Sequence, residues 1–193
     1  MRPMITPCRF RPLSVLRRSL LPLLLLPLLG AAGCITEEPE EFEATALVRT
    51  GDTAPDFTVE LLDGGTATLS ALRGEVVLLT FFSTWCPTCR EQMALMQEGI
   101  VDRFAGRPFR FLPISRAEER ETVAAFCHET GIAFPVGLDP DGTVYGLYAT
   151  RYVPRNLIID PAGRVLLAAG EFTGDESVAQ LARRIAEALD GMQ

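Results

Sequence analysis

Val76-Val77-Leu78-Leu79-Thr80-Phe81-Phe82-Ser83 runs directly into Thr84-Trp85-Cys86-Pro87-Thr88-Cys89, so an uncharged, largely β-branched or aromatic stretch ends at two cysteines three residues apart. The first part reads as a strand buried on both faces. Pro87 suits the first position of a helix, because it has no N–H to lose there, and the helical pattern continues to about Asp102. Residues i and i+3 share a helix face with Cα atoms about 5 to 6 Å apart, inside the window a disulfide needs. Cys86 and Cys89 therefore read as a redox pair that opens and closes with little backbone movement. The unpaired N–H groups and positive dipole end of the first turn favour an anion at Cys86, whereas Cys89 falls on the buried side. Cys86 is the candidate attacking thiol and Cys89 the resolving one. A bridge across two residues constrains the unfolded chain very little, so this spacing favours chemistry over stapling.

Working outward, Val59–Leu62, the turn Asp63-Gly64-Gly65 and Thr66–Leu69 read as a hairpin, followed by a short helical turn to Gly74. Phe109–Ser115 reads as a second strand, which makes a βαβ unit around the cysteines. Glu118–Thr130 is helical, with Val123, Phe126 and Cys127 on one side and Gly131 as its stop. A short strand to Leu138, a small helix ending at Tyr148, strands at Leu157–Ile159 and Val165–Ala169, and an amphipathic helix from Asp175 to Leu189 complete an α/β domain. Cys127 and the single histidine, His128, suggest a metal site only superficially. Adjacent helical residues point about 100° apart, so Cys127 reads as core, His128 as surface, and no metal is expected.

The chain has 193 residues, long enough for one domain with appendages. Arg2, Arg9, Arg11, Arg17 and Arg18 precede an apolar run, Leu20–Leu29, and small residues follow. Residues 1–33 thus read as a secretory signal. The run is shorter than the ~20 residues of a membrane span, and Pro22 and Pro27 interrupt it. Leu29-Gly30-Ala31-Ala32-Gly33-Cys34 resembles a bacterial lipobox, which implies lipidation of Cys34, export, and a membrane-anchored protein facing the periplasm or extracytoplasmic space. Ordinary cleavage near Ala32 is the alternative. Residues 34–50 read as a lipidated N-terminus and acidic tether, and 51–193 as the folded domain.

Losing residues 1–33 removes five of 18 basic residues and none of the 25 acidic ones, leaving a charge of −12. That acidity argues against nucleic acid as a partner. Every basic residue is arginine, which excludes Schiff-base chemistry by a lysine amine.

Gly51-Asp52-Thr53-Ala54-Pro55-Asp56-Phe57, the Leu69–Gly74 segment, the WCPTC motif, and Tyr152-Val153-Pro154 ahead of Leu157-Ile158-Ile159-Asp160 together resemble the TlpA/ResA-like branch of the thioredoxin superfamily, in the AhpC/TSA-related redoxins. The resemblance covers Gly51 to about Gly191. It implies a thioredoxin-like fold: a central mixed β-sheet flanked by helices, with an N-terminal β-hairpin and a helix-strand insertion before a cis-proline at Pro154. It also implies a thiol-disulfide oxidoreductase of protein substrates, a reductase with a place in cytochrome c maturation, recharged by a membrane electron-donor protein. Cys86 and Cys89 would form the catalytic disulfide, with no other cofactor, and Trp85, Pro87, Thr88, Val153 and Pro154 would line the substrate site.

A peroxiredoxin-like thiol peroxidase is the rival enzyme, disfavoured because neither cysteine has Thr three residues before it. A non-catalytic thioredoxin-fold binding protein is the rival outside catalysis. The chain departs from the family pattern at Gln92, where Glu is usual, and at Ala94, where Pro is usual. Thr80 stands where thioredoxin buries an aspartate, and Arg155 replaces a small polar residue. No carboxylate is expected near the pair, and Arg155, if it lies near Cys86, would stabilise the thiolate.

Overall fold

The computed structural model describes residues 39–170 and 174–192, so the signal-like segment and Cys34 lie outside the described residues. The described strands are β1 (Thr58–Leu61), β2 (Thr66–Thr68), β3 (Val76–Phe82), β4 (Phe109–Arg116), β5 (Gly137–Asp139), β6 (Arg155–Ile159) and β7 (Val165–Ala169). They form one mixed sheet in the order β2-β1-β5-β4-β3-β6-β7. The apolar run identified in the sequence is β3, and all seven of its residues are buried.

β3 lies parallel to β4, with Phe82 opposite Ser115, and antiparallel to β6, with Thr80 opposite Asn156 and Phe81 opposite Arg155. A parallel pair needs a crossover. That connection is α2 (Pro87–Met96), which opens on the cysteine pair. The thioredoxin-like fold therefore stands as the sequence implies, with the hairpin β1–β2 at one edge and the insertion α3 (Arg120–Thr130) plus β5 between β4 and the proline loop.

Period-two alternation along β3 divides the core into two layers. Val76, Leu78 and Phe82 pack with Met93, Met96 and Phe126 and with the stripe Val178, Leu181, Ile185 and Leu189 of α5 (Asp175–Asp190). Val77, Leu79 and Phe81 pack on the other face with Phe57, Leu69, Leu157 and Tyr148, the last in a short helix, Tyr145–Tyr148. Gly131 ends α3 in the left-handed conformation, φ 69°, with its N–H on the Cys127 carbonyl. No helix among the described residues is long and apolar enough to cross a membrane.

The elements differ from the sequence reading in three places. The helix expected to run from the cysteines to Asp102 widens into a π-turn at Gln97–Asp102. Gly99 lies in that turn, where an added Cβ would meet Val178 Cγ1 at 2.5 Å, so a bare backbone is what lets α5 approach. The insertion helix starts at Arg120, because Ala117 takes a left-handed φ of 55° and Glu118 is turned elsewhere. The boundary expected at Gly51 also falls later than the packed chain begins. Pro39–Ala44 is a short helix, α1, Ala46 bridges to Ala149, and Ala46 and Val48 are buried. The acidic composition of this stretch conceals the apolar residues that dock it.

Candidate active site

Cys86 caps α2 with extended backbone, φ −81° and ψ 116°, and Pro87 follows at the first helical turn. One of the N–H groups that a helix start leaves unpaired, that of Cys89, donates to Cys86 Sγ at 3.3 Å. The same sulfur lies 3.2 Å from Thr88 Oγ1, and its thiol donates to the Val153 carbonyl at 3.6 Å. The Val153–Pro154 bond is cis. Residues 67 apart in sequence thus meet at one sulfur. Cys86, Cys89 and Cys127 are all free thiols.

Cys86 is 5% exposed and Cys89 fully buried. The Thr88 hydroxyl and the Val153 carbonyl cover the Cys86 sulfur and leave a narrow approach. Trp85 beside it is 69% exposed, and Pro87 and Thr88 are exposed as well, so the approach is ringed by surface side chains. Burial pushes the Cys89 thiol far above the ordinary thiol range, and its hydrogen bond with Cys86 and the charge of Glu118 act in the same direction. The two thiols are therefore unequal: one touches solvent, and the other is held as S–H in the core.

Beneath the pair lies an uncharged polar layer. Thr80 Oγ1 donates to Asn156 Oδ1 at 2.8 Å, and Gln92 Nε2 donates to the same oxygen at 2.6 Å. All three residues are buried. Gln92 faces the cysteine side, one turn beyond Cys89, as the spacing predicts. Asn156 was not singled out in the sequence. Its signal was its place two residues after Pro154, immediately ahead of the strand expected at Leu157–Ile159.

Glu118 corrects the expectation that no carboxylate lies near the pair. Its carboxylate accepts the Thr84 N–H at 2.8 Å, the Thr84 hydroxyl at 2.5 Å and the Ser115 hydroxyl at 2.8 Å. The Thr84 carbonyl in turn accepts Arg90 Nη1 at 3.1 Å. Every polar group of Thr84 is thus held, which fixes the loop that presents Trp85 and Cys86. The strained φ of Ala117 immediately precedes Glu118, a backbone cost of the sort found where a side chain must be aimed.

Arg155 is the second correction. It alternates with Asn156 along β6, so its side chain leaves the sheet on the face away from the cysteines. There it is 2% exposed, packs over the Phe42 ring, and does not stabilise the Cys86 thiolate. Cys127 is buried in the cysteine-side core and His128 is exposed, as the helix pattern predicts.

Comparison with known proteins agrees with this geometry. Residues 50–168 match the AhpC/TSA family. The thiol-disulfide oxidoreductase ResA of Geobacillus thermodenitrificans is 32% identical over 142 residues, 74% of this chain and 80% of the relative. A solution structure from Bacteroides thetaiotaomicron, described as a candidate protein disulfide isomerase, superposes with a TM-score of 0.71 at 37% identity, covering 76% of this chain and 93% of that one. A crystal structure described as a candidate thiol:disulfide interchange protein DsbE from Chlorobium tepidum gives 0.68 at 28% identity, over 74% and 99%. With an unequal dithiol at a helix start in a thioredoxin-like sheet, the chain belongs to the AhpC/TSA family and, in it, to the ResA-like thiol-disulfide oxidoreductases.

Proposed function

We propose that this enzyme is an exported, lipid-anchored reductase of protein disulfides that works through Cys86 and Cys89. The observation that carries the reading is the inequality of the two thiols: Cys86 Sγ at the helix start meets the Cys89 N–H, while Cys89 itself is fully buried. The Cys86 thiolate attacks one sulfur of a substrate disulfide, and the other leaves as a thiolate that takes up a proton. Cys89 then gives up its proton and attacks Cys86 Sγ, releasing the second substrate thiol. Two electrons pass to the substrate, and the Cys86–Cys89 disulfide remains. No further cofactor is needed.

A substrate chain would lie along Val153 and Pro154, its backbone pairing beside the Val153 carbonyl as an added strand, with Trp85, Pro87 and Thr88 at its flank. The N-terminal signal features and the lipobox-like Cys34 support anchoring on the extracytoplasmic side of a membrane. The resemblance of the motifs to the TlpA/ResA-like branch is what supports a place in cytochrome c maturation and recharging by a membrane electron-donor protein. Trapping tests the reading: Cys89→Ala should accumulate mixed disulfides on Cys86, identifiable by mass spectrometry, and Cys86→Ser should abolish insulin reduction. Undiminished insulin reduction by Cys86→Ser would overturn it.

A further inference from the structure

The loop that carries Val153 is gripped from the far side of the sheet. Tyr152 holds a left-handed φ of 71°, unusual for a non-glycine residue, and its carbonyl accepts the Tyr145 hydroxyl at 2.7 Å. The N-terminal segment lies alongside. The Thr45 carbonyl accepts the Thr150 N–H at 3.0 Å, and the Tyr148 carbonyl accepts the N–H groups of Leu47 and Val48 at 2.9 and 3.3 Å. Arg155, next after Pro154, donates from Nη2 to Thr45 Oγ1 at 3.0 Å and to the Arg151 carbonyl at 3.2 Å. Its guanidinium carbon sits 3.9 Å from the centre of the Phe42 ring, while its Nε is buried without a hydrogen-bond partner. The outer edge of that ring, Cζ and the two Cε atoms, presses on Gly170 just past the end of β7, where an added Cβ would overlap it. The Phe42 ring also lies 6.5 Å from that of Tyr152.

A buried cation is costly unless its surroundings are ordered around it. The Thr45 hydroxyl, the Arg151 carbonyl, the Tyr145 hydroxyl and the charge of Glu43 all favour the cation, and the aromatic face adds to them, strongly so in a desolvated site. Phe42 thus connects the N-terminal segment, Gly170 and Arg155, and through Arg155 it reaches the Arg151 carbonyl and the neighbour of Pro154.

We propose that Phe42 is a positioning residue: with Arg155 and Gly170 it forms a clasp that holds the Val153 carbonyl beside Cys86, and so sets the affinity for extended protein disulfides. The inference rests on the reading of Cys86 as nucleophile and Val153 as the substrate-pairing residue. A loop released from the clasp populates the docking geometry for only part of the time, and apparent affinity falls by that fraction. Small disulfides make no backbone pairing, so they feel only the change in the Val153 carbonyl's contact with Cys86, which both substrates share.

The test uses the full chain with dithiothreitol as reductant and two oxidised substrates, insulin and 2-hydroxyethyl disulfide. Phe42→Ala removes the ring, and Gly170→Ala displaces it by pushing on its outer edge. Phe42→Leu keeps apolar bulk without the aromatic face, which covers the case in which Phe42→Ala fails to fold. Each variant should raise KM for insulin about fivefold, the factor a desolvated cation–π contact supports, with kcat held within about twofold. The rate with 2-hydroxyethyl disulfide, which reports the shared effect on Cys86, should change by no more than about the twofold allowed for kcat. An unchanged insulin KM in all three variants, or equal losses with both substrates, would overturn the clasp. Failure of the underlying reading is separate: it appears as wild-type protein whose insulin reduction survives Cys86→Ser.

Discussion

Raising the pH from 7 to 10 should lower the reduction potential of the Cys86–Cys89 couple without any plateau. Each proton taken up with the two electrons contributes about 30 mV per pH unit, half the one-electron value of about 59 mV. Cys89 is fully buried, hydrogen-bonded to Cys86 and under the charge of Glu118, and all three hold it as S–H well beyond the ordinary thiol range. Reduction must therefore take up at least one proton at every pH in the window. The fall is at least about 30 mV per unit, or about 90 mV in total, whatever Cys86 adds. An ordinary thiol, with its value of 9.0, would be mostly ionised by pH 10, and the curve would flatten over the last unit.

The assay equilibrates the protein with dithiothreitol redox mixtures of known potential at each pH, quenches in acid and counts free thiols by alkylation and mass spectrometry. Trp85, the single tryptophan and the immediate neighbour of Cys86, supplies an independent fluorescence signal. A change smaller than about 15 mV between pH 9 and pH 10 would refute the reasoning. The same burial predicts how stability responds. In the reduced protein the folded state keeps a proton on Cys89 that the unfolded chain gives up above its ordinary value of 9.0, so the stabilisation is complete below that pH. It is then lost at about 1.4 kcal/mol per pH unit as the pH rises, and denaturation of the oxidised form, which has no Cys89 thiol, should lack this slope.

Other perturbations separate the neighbouring groups. Gln92→Glu sets a carboxyl against Asn156 Oδ1, which now receives Gln92 Nε2 at 2.6 Å, so the new group is pushed to hold its proton in the fold. Urea unfolding should show a deficit against the native sequence that is small near pH 4 and grows by about 1.4 kcal/mol per unit as pH rises to the folded carboxyl's own titration. Glu118→Ala leaves the Thr84 N–H and two hydroxyls without their acceptor, which should cost about 1–3 kcal/mol in urea and speed hydrogen exchange at Thr84. Gly99→Ala drives a methyl onto Val178 and should destabilise by about 1–3 kcal/mol, and Val178→Ala should relieve much of that loss in the double variant, as measured by thermal melting.

The strand, the helix start and the cysteine pair were legible because each is written in consecutive residues. A continuous apolar run, a proline at the first turn and an i, i+3 spacing carry their structural meaning locally. The hairpin turns were legible for the same reason. Glu118 was not, because it lies 29 residues beyond Cys89 in sequence and reaches the site only through register. Phe82 pairs with Ser115 in a parallel ladder, so the chains leaving β3 and β4 emerge side by side, and Thr84 meets Glu118. Once the βαβ unit is granted, that meeting follows from strand geometry. The face of Arg155 was similarly implicit, since Asn156 opposite Thr80 sends its neighbour to the other side. Phe42 had no such signal: one aromatic ring in an acidic run looks solvated until Gly170 and Arg155 are seen against it.

The uncharged layer of Thr80, Gln92 and Asn156 has a consequence for how protons follow electrons. A carboxyl buried there would exchange its proton with the thiols, and the couple would show mixed slopes that belong to no single residue. Two amides and a hydroxyl hydrogen-bond to one another and do not titrate in this range. The proton that must leave Cys89 before it attacks therefore has no acceptor in that layer, and the carboxylate whose charge acts on that thiol is Glu118, hydrogen-bonded to Thr84. Glu118 is held by an amide and two hydroxyl donors, so its position is fixed by the same loop that presents Cys86. With Glu118 as the acceptor, proton exit would run by way of the loop that presents Cys86 and not through the sheet beneath the pair. Rates of resolution of a trapped mixed disulfide should then fall in Glu118→Gln and stay level in Asn156→Ser, and the reverse order would place the exit through the layer.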